Sequence, residues 1–189
     1  MRRVAARLGV KAASLYNHVR NKGELLMLVA DAICAKIPPP VPGLGWREQL
    51  QRRGHAIRRV LLAHRDGARV MAATPPSGPN RLRVIEDLLR VLGEAGVKRS
   101  EIADVSFVLS STMIGLVLDE SMGAQILPGS PAEQRAAARR WFKSLPADRY
   151  PNFVRLADAF ANSSAERRFD IAMEALLDGL ERRLKAPAS

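Results

Sequence analysis

Chemistry in this chain would have to come from three histidines, one cysteine and a neighbouring pair of carboxylates, and their spacing argues against each of the usual reactions. His18, His55 and His64 fall at intervals that match no metal motif such as H-E-x-x-H, where two imidazoles share one helix face. Each reads as a surface or packing residue, and only His18 has a functional rival, a phosphate or base contact. His64-Arg65-Asp66 spells a kinase catalytic-loop tripeptide, yet the downstream Asn and a glycine-rich loop are missing. Asp119 and Glu120 are adjacent, so a helix would turn them to different sides, a poor arrangement for an acid and a base working on one bond. No nucleophile stands beside an activating base. The single cysteine, Cys34, excludes an intrachain disulfide and a multi-cysteine metal site, and it shares an apolar pattern with Ala30, Ile33 and Ile37 that suits core packing. The expectation is a protein that is not an enzyme, with no cofactor and no metal.

A second kind of chemistry, recognition by hydrogen bonding, is concentrated in RRVAARLGVKAASLYNHVRNK, residues 2 to 22. Val4, Ala5 and Leu8 recur at helical spacing, Gly9 suits a helix C-terminal cap and Val10 can fill a turn. A short second helix is expected from about Ala12 to Val19. At 100° per residue Leu15 and Val19 share one side, leaving Ala13 and Asn17 nearly opposite, flanked by Ser14 and Tyr16. That small polar face has the shape of a helix that enters the DNA major groove, about 12 Å wide, and presents Asn or Ser to base edges. Pattern alone leaves an ordinary surface helical hairpin as the competing reading.

The elements that would carry this face are all helical. Lys22 to Lys36 is amphipathic through Leu25, Leu26, Leu28, Val29, Ala32 and Ile33, and PPPVPG at 38 to 43 ends it because consecutive prolines lack amide hydrogens and fix φ. That break divides a reader, residues 1–37, from a body, residues 38–189. Helical patterns follow at Trp46 to His64, Leu82 to Leu92, Ser100 to Met122, Arg135 to Phe142 and Ala165 to Leu184. TPPSGP at 74 to 79, PGSP at 128 to 131 and PADRYP at 146 to 151 lie between them, the last two belonging to a variable crossover. No period-2 alternation is long enough for a strand, so the expected fold is all-α. With 47% of its residues hydrophobic the chain can bury a proper core. A net charge of +11 favours nucleic acid, since lysine and arginine release counterions condensed on phosphates, although an arginine-rich protein of another kind would show the same excess. No apolar h-region follows the first residues and no stretch approaches the ~20 apolar residues of a membrane span, so the expected location is the cytoplasm, without a membrane partner.

The run LGVKAASLYNHVRNKGELL closely resembles the recognition region of the tetracycline-repressor (TetR) family of bacterial transcription regulators. A second run, LLAHRDGARVMAATPP, resembles the start of that family's ligand-binding domain, and weaker similarity continues to the C-terminus. The resemblance implies a helix-turn-helix DNA-binding domain joined to a helical ligand-binding and dimerisation domain, acting as a homodimeric repressor of a palindromic double-stranded operator and released by a small-molecule effector. The alternative reading is a shortened dimerising interaction protein that does not bind operator DNA by itself. In the family one more helix precedes the point where Met1 falls, so the first helix of the DNA-binding domain is absent and Val4, Leu8, Leu15 and Val19 lose cover. A truncated chain, a late-assigned start and a naturally shortened protein all fit that pattern.

By the same resemblance the DNA contacts are Arg2, Ala12, Ala13, Ser14, Tyr16, Asn17, His18 and Lys22. Where the family type has Gln, Pro, Thr and Trp, this chain has Ala12, Ala13, Ser14 and Asn17, so its operator should differ. Asn17 is expected to read a base, while Tyr16, His18 and Lys22 hold phosphate; Arg2 can grip guanine through two bonds, with a plain phosphate contact as the simpler role. In the ligand domain, the tetracycline-binding members of the family hold a magnesium–tetracycline chelate through a histidine, and the matching position here is Met71, whose soft thioether does not suit magnesium. Pro38 and Arg53 stand where His and Asn contact the drug, and Thr74 and Asp119 fall at or near pocket positions. The expected pocket is lined by Arg53, Met71, Thr74, Leu88, Met113, Val117 and Asp119. Arg53 is a candidate anchor for an acidic group; core packing for the methionines and a surface charge for Arg53 are the competing roles. The expected dimer interface uses 100 to 122 and 165 to 184, which carry more apolar surface than one small body can cover.

Overall fold

The computed structural model describes residues 1–7, 9–126 and 129–185, with the side chains of Arg2, Ala12, Leu15 and residues 123–126 left outside that description. Eleven α-helices make up the described structure. The reader contributes α1 (Arg2–Arg7), α2 (Ala12–Tyr16) and α3 (Lys22–Cys34). The body contributes α4 (Trp46–Leu62), α5 (Gly67–Ala73), α6 (Pro79–Glu94), α7 (Ile102–Ile126), α8 (Pro131–Lys143), α9 (Pro151–Arg155), α10 (Ala157–Asn162) and α11 (Ala165–Lys185). Among the described residues there is no strand, so the all-α expectation holds.

The second helix is shorter than its pattern suggests. It ends at Tyr16, and the Asn17 amide closes the following turn on the Ser14 carbonyl, so Asn17 and His18 stand in a turn beyond the helix. The next helix starts cleanly because its N-cap Asn21 accepts the Glu24 amide at 2.9 Å, while Glu24 accepts the amide of Arg20, one residue before the cap, at 2.6 Å. It ends before Pro38, and its buried side, Ala30, Ile33 and Cys34, packs on α5 and α6.

The body is organised around α7, which lies against α4, α5, α6 and α11. Leu50, Ile57 and Leu61 of α4, Leu88, Val91 and Leu92 of α6, Leu109, Met113 and Val117 of α7, and Phe169, Met173 and Leu177 of α11 make one continuous core. The outer side of α7 is also apolar: Phe107 is 72% exposed, and Val108 and Met122 are exposed beside it. Residues 102–122 have a mean hydropathy of 1.6 with only 17% of the stretch buried, so the expectation that no segment approaches a membrane span in composition is corrected here. A helix apolar on two sides needs a second partner beyond its own core.

Three short helices escaped the sequence pattern. The HRD turn carries Asp66 into the left-handed region at φ 58° and starts α5. A Cβ on Gly67 would sit 2.5 Å from the Leu61 carbonyl oxygen, so only glycine fits between α4 and α5. The crossover expected over 146–151 instead leads into α9 and α10, which pack with α8 around Phe142, Phe153 and Phe160.

Candidate functional site

At the amino-terminal end, α1 and α2 pack together over Ala5 and Val19, both buried. Turning those residues inward leaves Ala13, Ser14, Tyr16, Asn17, His18 and Lys22 exposed on one small surface. Residues 1–22 contain six lysines or arginines and no acid, and with Arg20 paired to Glu24 at 3.2 Å the segment keeps a positive excess. The first carboxylate in the chain, Glu24, is committed to the cap of α3, where the Arg20 amide holds its carboxyl below the ordinary range. Arg2 and Ala12 have side chains outside the described residues.

A cavity enclosing about 420 Å³, mouth included, opens in the body between α4, α6, α7 and α11. Most of that is open mouth: the space inside is about 40 Å³, well short of the ~300 to 1,000 Å³ typical of small-molecule sites, so a ligand has to widen it. Its walls are Leu50, Ile57, Val84, Ile85, Leu88, Leu109, Met113 and Met173, with Gly54 and Ser110 between them and Arg53 as the one charged group. A Cβ on Gly54 would meet Met173 Cε at 2.9 Å, so the thioether ends of Met173 and Met113 fill the space that the glycine leaves. The Arg53 side chain is only 5% exposed, donates to the Val84 carbonyl and lies 3.5 Å from Asp87 Oδ2. Burial pulls its guanidinium below the ordinary value, and the Asp87 charge opposes that. A guanidinium stays charged in any protein setting, so this wall of the cavity is cationic.

Of the residues expected to line a pocket, Arg53, Leu88 and Met113 border this cavity. The other four lie elsewhere, for identifiable reasons. Met71 points its sulfur at Cys34 Sγ, 3.9 Å away, and packs α5 onto α3. Thr74 donates to the Val70 carbonyl and accepts from Arg81 at 2.6 Å, closing the end of α5. Val117 is a helical turn beyond Met113 and is buried wholly in the core. Asp119 is 74% exposed and lies 3.6 Å from Arg168. Pro38 is exposed as well. Gly54, Ile57, Leu109 and Met173 were missed, although Leu50, Arg53, Gly54 and Ile57 share one face of α4, and Leu109 stands one turn from Met113. A thioether turned toward a thiol and a solvent-exposed Asp119 do not fit a magnesium chelate.

Between the two surfaces runs a set of polar ties. Asp31 of α3 accepts the Arg81 amide at 2.9 Å and the Asn80 side chain at 2.8 Å, so it caps the start of α6. Arg83 of α6 donates to the carbonyls of Cys34 at 3.1 Å and Ile37 at 2.9 Å, satisfying the end of α3. The cavity wall and the helix that bears the reader are therefore joined at two points.

Residues 39–184 match the family described as "Tetracyclin repressor-like, C-terminal domain". The tetracycline repressor protein class A from transposon 1721 of Escherichia coli is 32% identical over 186 residues, which cover 96% of this chain and 81% of that protein. The Streptomyces coelicolor TetR family protein ActR, solved in complex with actinorhodin, is 34% identical and superposes with a TM-score of 0.83 over 98% of this chain and 88% of its own. In its complex with (S)-DNPA the same protein gives 33% identity and a TM-score of 0.80, over 96% of this chain and 86% of that one. With the family match spanning most of the chain, and this chain aligned nearly end to end with relatives of which it covers more than four fifths, the protein belongs to the TetR family of ligand-responsive transcriptional regulators.

Proposed function

We propose that the protein is a repressor that binds a palindromic operator as a homodimer and is released by an apolar ligand bearing an anionic group. The observation that carries this reading is the position of the cavity: its α6 wall is tied to α3, and α3 begins directly behind the exposed polar face of residues 13 to 18. Arg53 is the anchor for the anionic group, and Leu88, Met113 and Met173 receive the apolar body. ActR, solved with actinorhodin, supplies a precedent for a bound small molecule in a chain of this shape. Ligand entry shifts α3 and changes the separation of the two readers, which is how a buried ligand releases DNA.

On the DNA, Asn17 reads a base, Ala13 and Ser14 stand next to it, and Tyr16, His18 and Lys22 hold phosphate, with Arg2 and Ala12 completing the contact set. The domain boundary falls at Pro38, with the reader at 1–37 and the body at 38–189. The dimer forms on the open sides of α7 and α11, where Phe107, Val108 and Ile171 are exposed. Two readers then face successive major grooves about 34 to 36 Å apart. A second reading, a dimerising interaction protein without operator binding, draws on the thin core of residues 1–22, in which Ala5 and Val19 are the buried apolar residues among those described.

A thermal-shift panel tests the ligand assignment. Apolar acids should raise the melting temperature by several degrees at about 100 times Kd, equivalent to about 2.7 kcal/mol. Stabilisation by magnesium–tetracycline and by none of the acids would contradict the assignment.

A further inference from the structure

The cation in the cavity is not alone. Asp87 Oδ2 lies 3.5 Å from Arg53 Nη1 and 3.2 Å from Arg83 Nη1, so one carboxylate is divided between two guanidiniums. Arg53 faces the cavity; Arg83 uses its other nitrogen, Nη2, to hold the Cys34 and Ile37 carbonyls at the end of α3. Two positive charges and one negative leave the group one positive charge in excess, with Arg53 buried, Asp87 20% exposed and Arg83 reaching the surface at 36%. The nearby Arg90, paired with Glu94 at the surface, adds to that positive excess at Arg53. Arg53 is thus held on its carboxylate side only at the outer limit of a hydrogen bond, the geometry of a partner that can be exchanged.

We infer that Asp87 is the internal counter-ion of the ligand site: it occupies Arg53 when the cavity is empty, yields that cation to the anionic group of a ligand, and passes the exchange through Arg83 to the end of α3. The inference rests on the ligand-site reading above and adds its specificity and its coupling. A neutral ligand finds Arg53 already paired and leaves the train in place. An anionic ligand replaces Asp87 at Arg53, and repulsion turns Asp87 wholly toward Arg83. Arg83 then follows its counter-ion away from the two carbonyls, and the last turn of α3, held by the amides of Ala35, Lys36 and Ile37, loosens.

The test uses two fluorescent probes of nearly one shape, 8-anilinonaphthalene-1-sulfonate and its uncharged parent N-phenyl-1-naphthylamine, counting only the binding that a cavity-filling Ser110→Trp abolishes. Asp87→Asn should tighten the sulfonate about fivefold while moving the neutral probe less than about twofold, and Arg53→Gln should weaken the sulfonate alone. Glu94→Gln makes the same charge change two turns along α6 and should do neither. In hydrogen exchange, the sulfonate and not the neutral probe should speed exchange at the amides of Ala35, Lys36 and Ile37, and Arg83→Gln should erase that difference. Equal responses to the two probes, or a Glu94→Gln effect equal to that of Asp87→Asn, would overturn the inference while leaving the ligand site standing. A cavity that takes up neither probe would overturn both.

Discussion

Asp31→Ala isolates the tie between reader and body, because it removes one side chain and two hydrogen bonds without touching the cavity. Asp31 stands on α3 but caps α6, accepting the Arg81 amide and the Asn80 side chain while Gly78, at φ 87°, brings the chain hard against it. Losing a helix N-cap costs about 1 kcal/mol, and the bond from Asn80 adds about 0.5 to 1 kcal/mol. For a body of this size the sum should lower Tm by about 4 to 8 °C. Asp31→Asn keeps an acceptor and loses only the charge at the helix N-terminus, about 0.5 kcal/mol. The pH dependence separates the two causes. Burial raises the Asp31 carboxyl and the bonds from Arg81 and Asn80 more than offset it, leaving it below its ordinary 3.8. A lowered folded value means that the charge contributes stability above the unfolded value and loses it as the pH falls through the folded one. The gap between wild type and Asp31→Asn should therefore be full at pH 7 and close below pH 3.8. The assay is urea unfolding at fixed protein concentration, with hydrogen exchange at the Arg81 amide. An Asp31→Ala protein that melts with the wild type, its Arg81 amide equally protected, would refute the capping role.

Further consequences can be checked in the same preparations. Glu120 holds Arg58 through two hydrogen bonds of 2.7 and 2.9 Å, with the Arg58 side chain 14% exposed; Glu120→Leu strands that cation and should cost about 3 kcal/mol in urea unfolding, largely recovered by adding Arg58→Met. Gly67→Ala forces a methyl against the Leu61 carbonyl oxygen, which cannot swing aside, and should cost about 1 to 3 kcal/mol in the same assay. Phe107→Glu places a charge on the open side of α7 and should convert the dimer to monomer in sedimentation at micromolar concentration, with the helical content by circular dichroism unchanged.

What could be read from residue order alone follows from how far each signal reaches along the chain. Helices α3, α4, α6, α7 and α11 carry repeating apolar faces over several turns, and the proline runs mark their ends, so local pattern was enough. Helices α5, α9 and α10 have only five to seven residues each, too few for a period, and they form because neighbours cover them. The end of α2 was overestimated because Val19 continues the apolar period while the backbone has already turned at Asn17. In the cavity, Arg53 is marked by its match to a family drug-contact position, whereas Asp87, Arg83 and Asp31 give no sign of their roles. Apart from the Arg83–Asp87 pair on α6, their partners lie 34 to 50 positions away, and nothing local distinguishes a solvated charge from one that ties two helices. Met71 and Thr74 were assigned by family correspondence, which fixes a position in the chain but not the direction of a side chain.

Selection of bound duplexes from a random DNA pool, with and without Asn17→Ala, tests the central claim most directly. The account predicts enrichment of an inverted repeat whose half-sites lie about one helical turn apart, and a loss of about 1 to 3 kcal/mol of discrimination at one base pair in each half-site when Asn17 is removed. A protein that sediments as a dimer yet enriches no sequence, or whose enriched site is indifferent to Asn17→Ala, would contradict it.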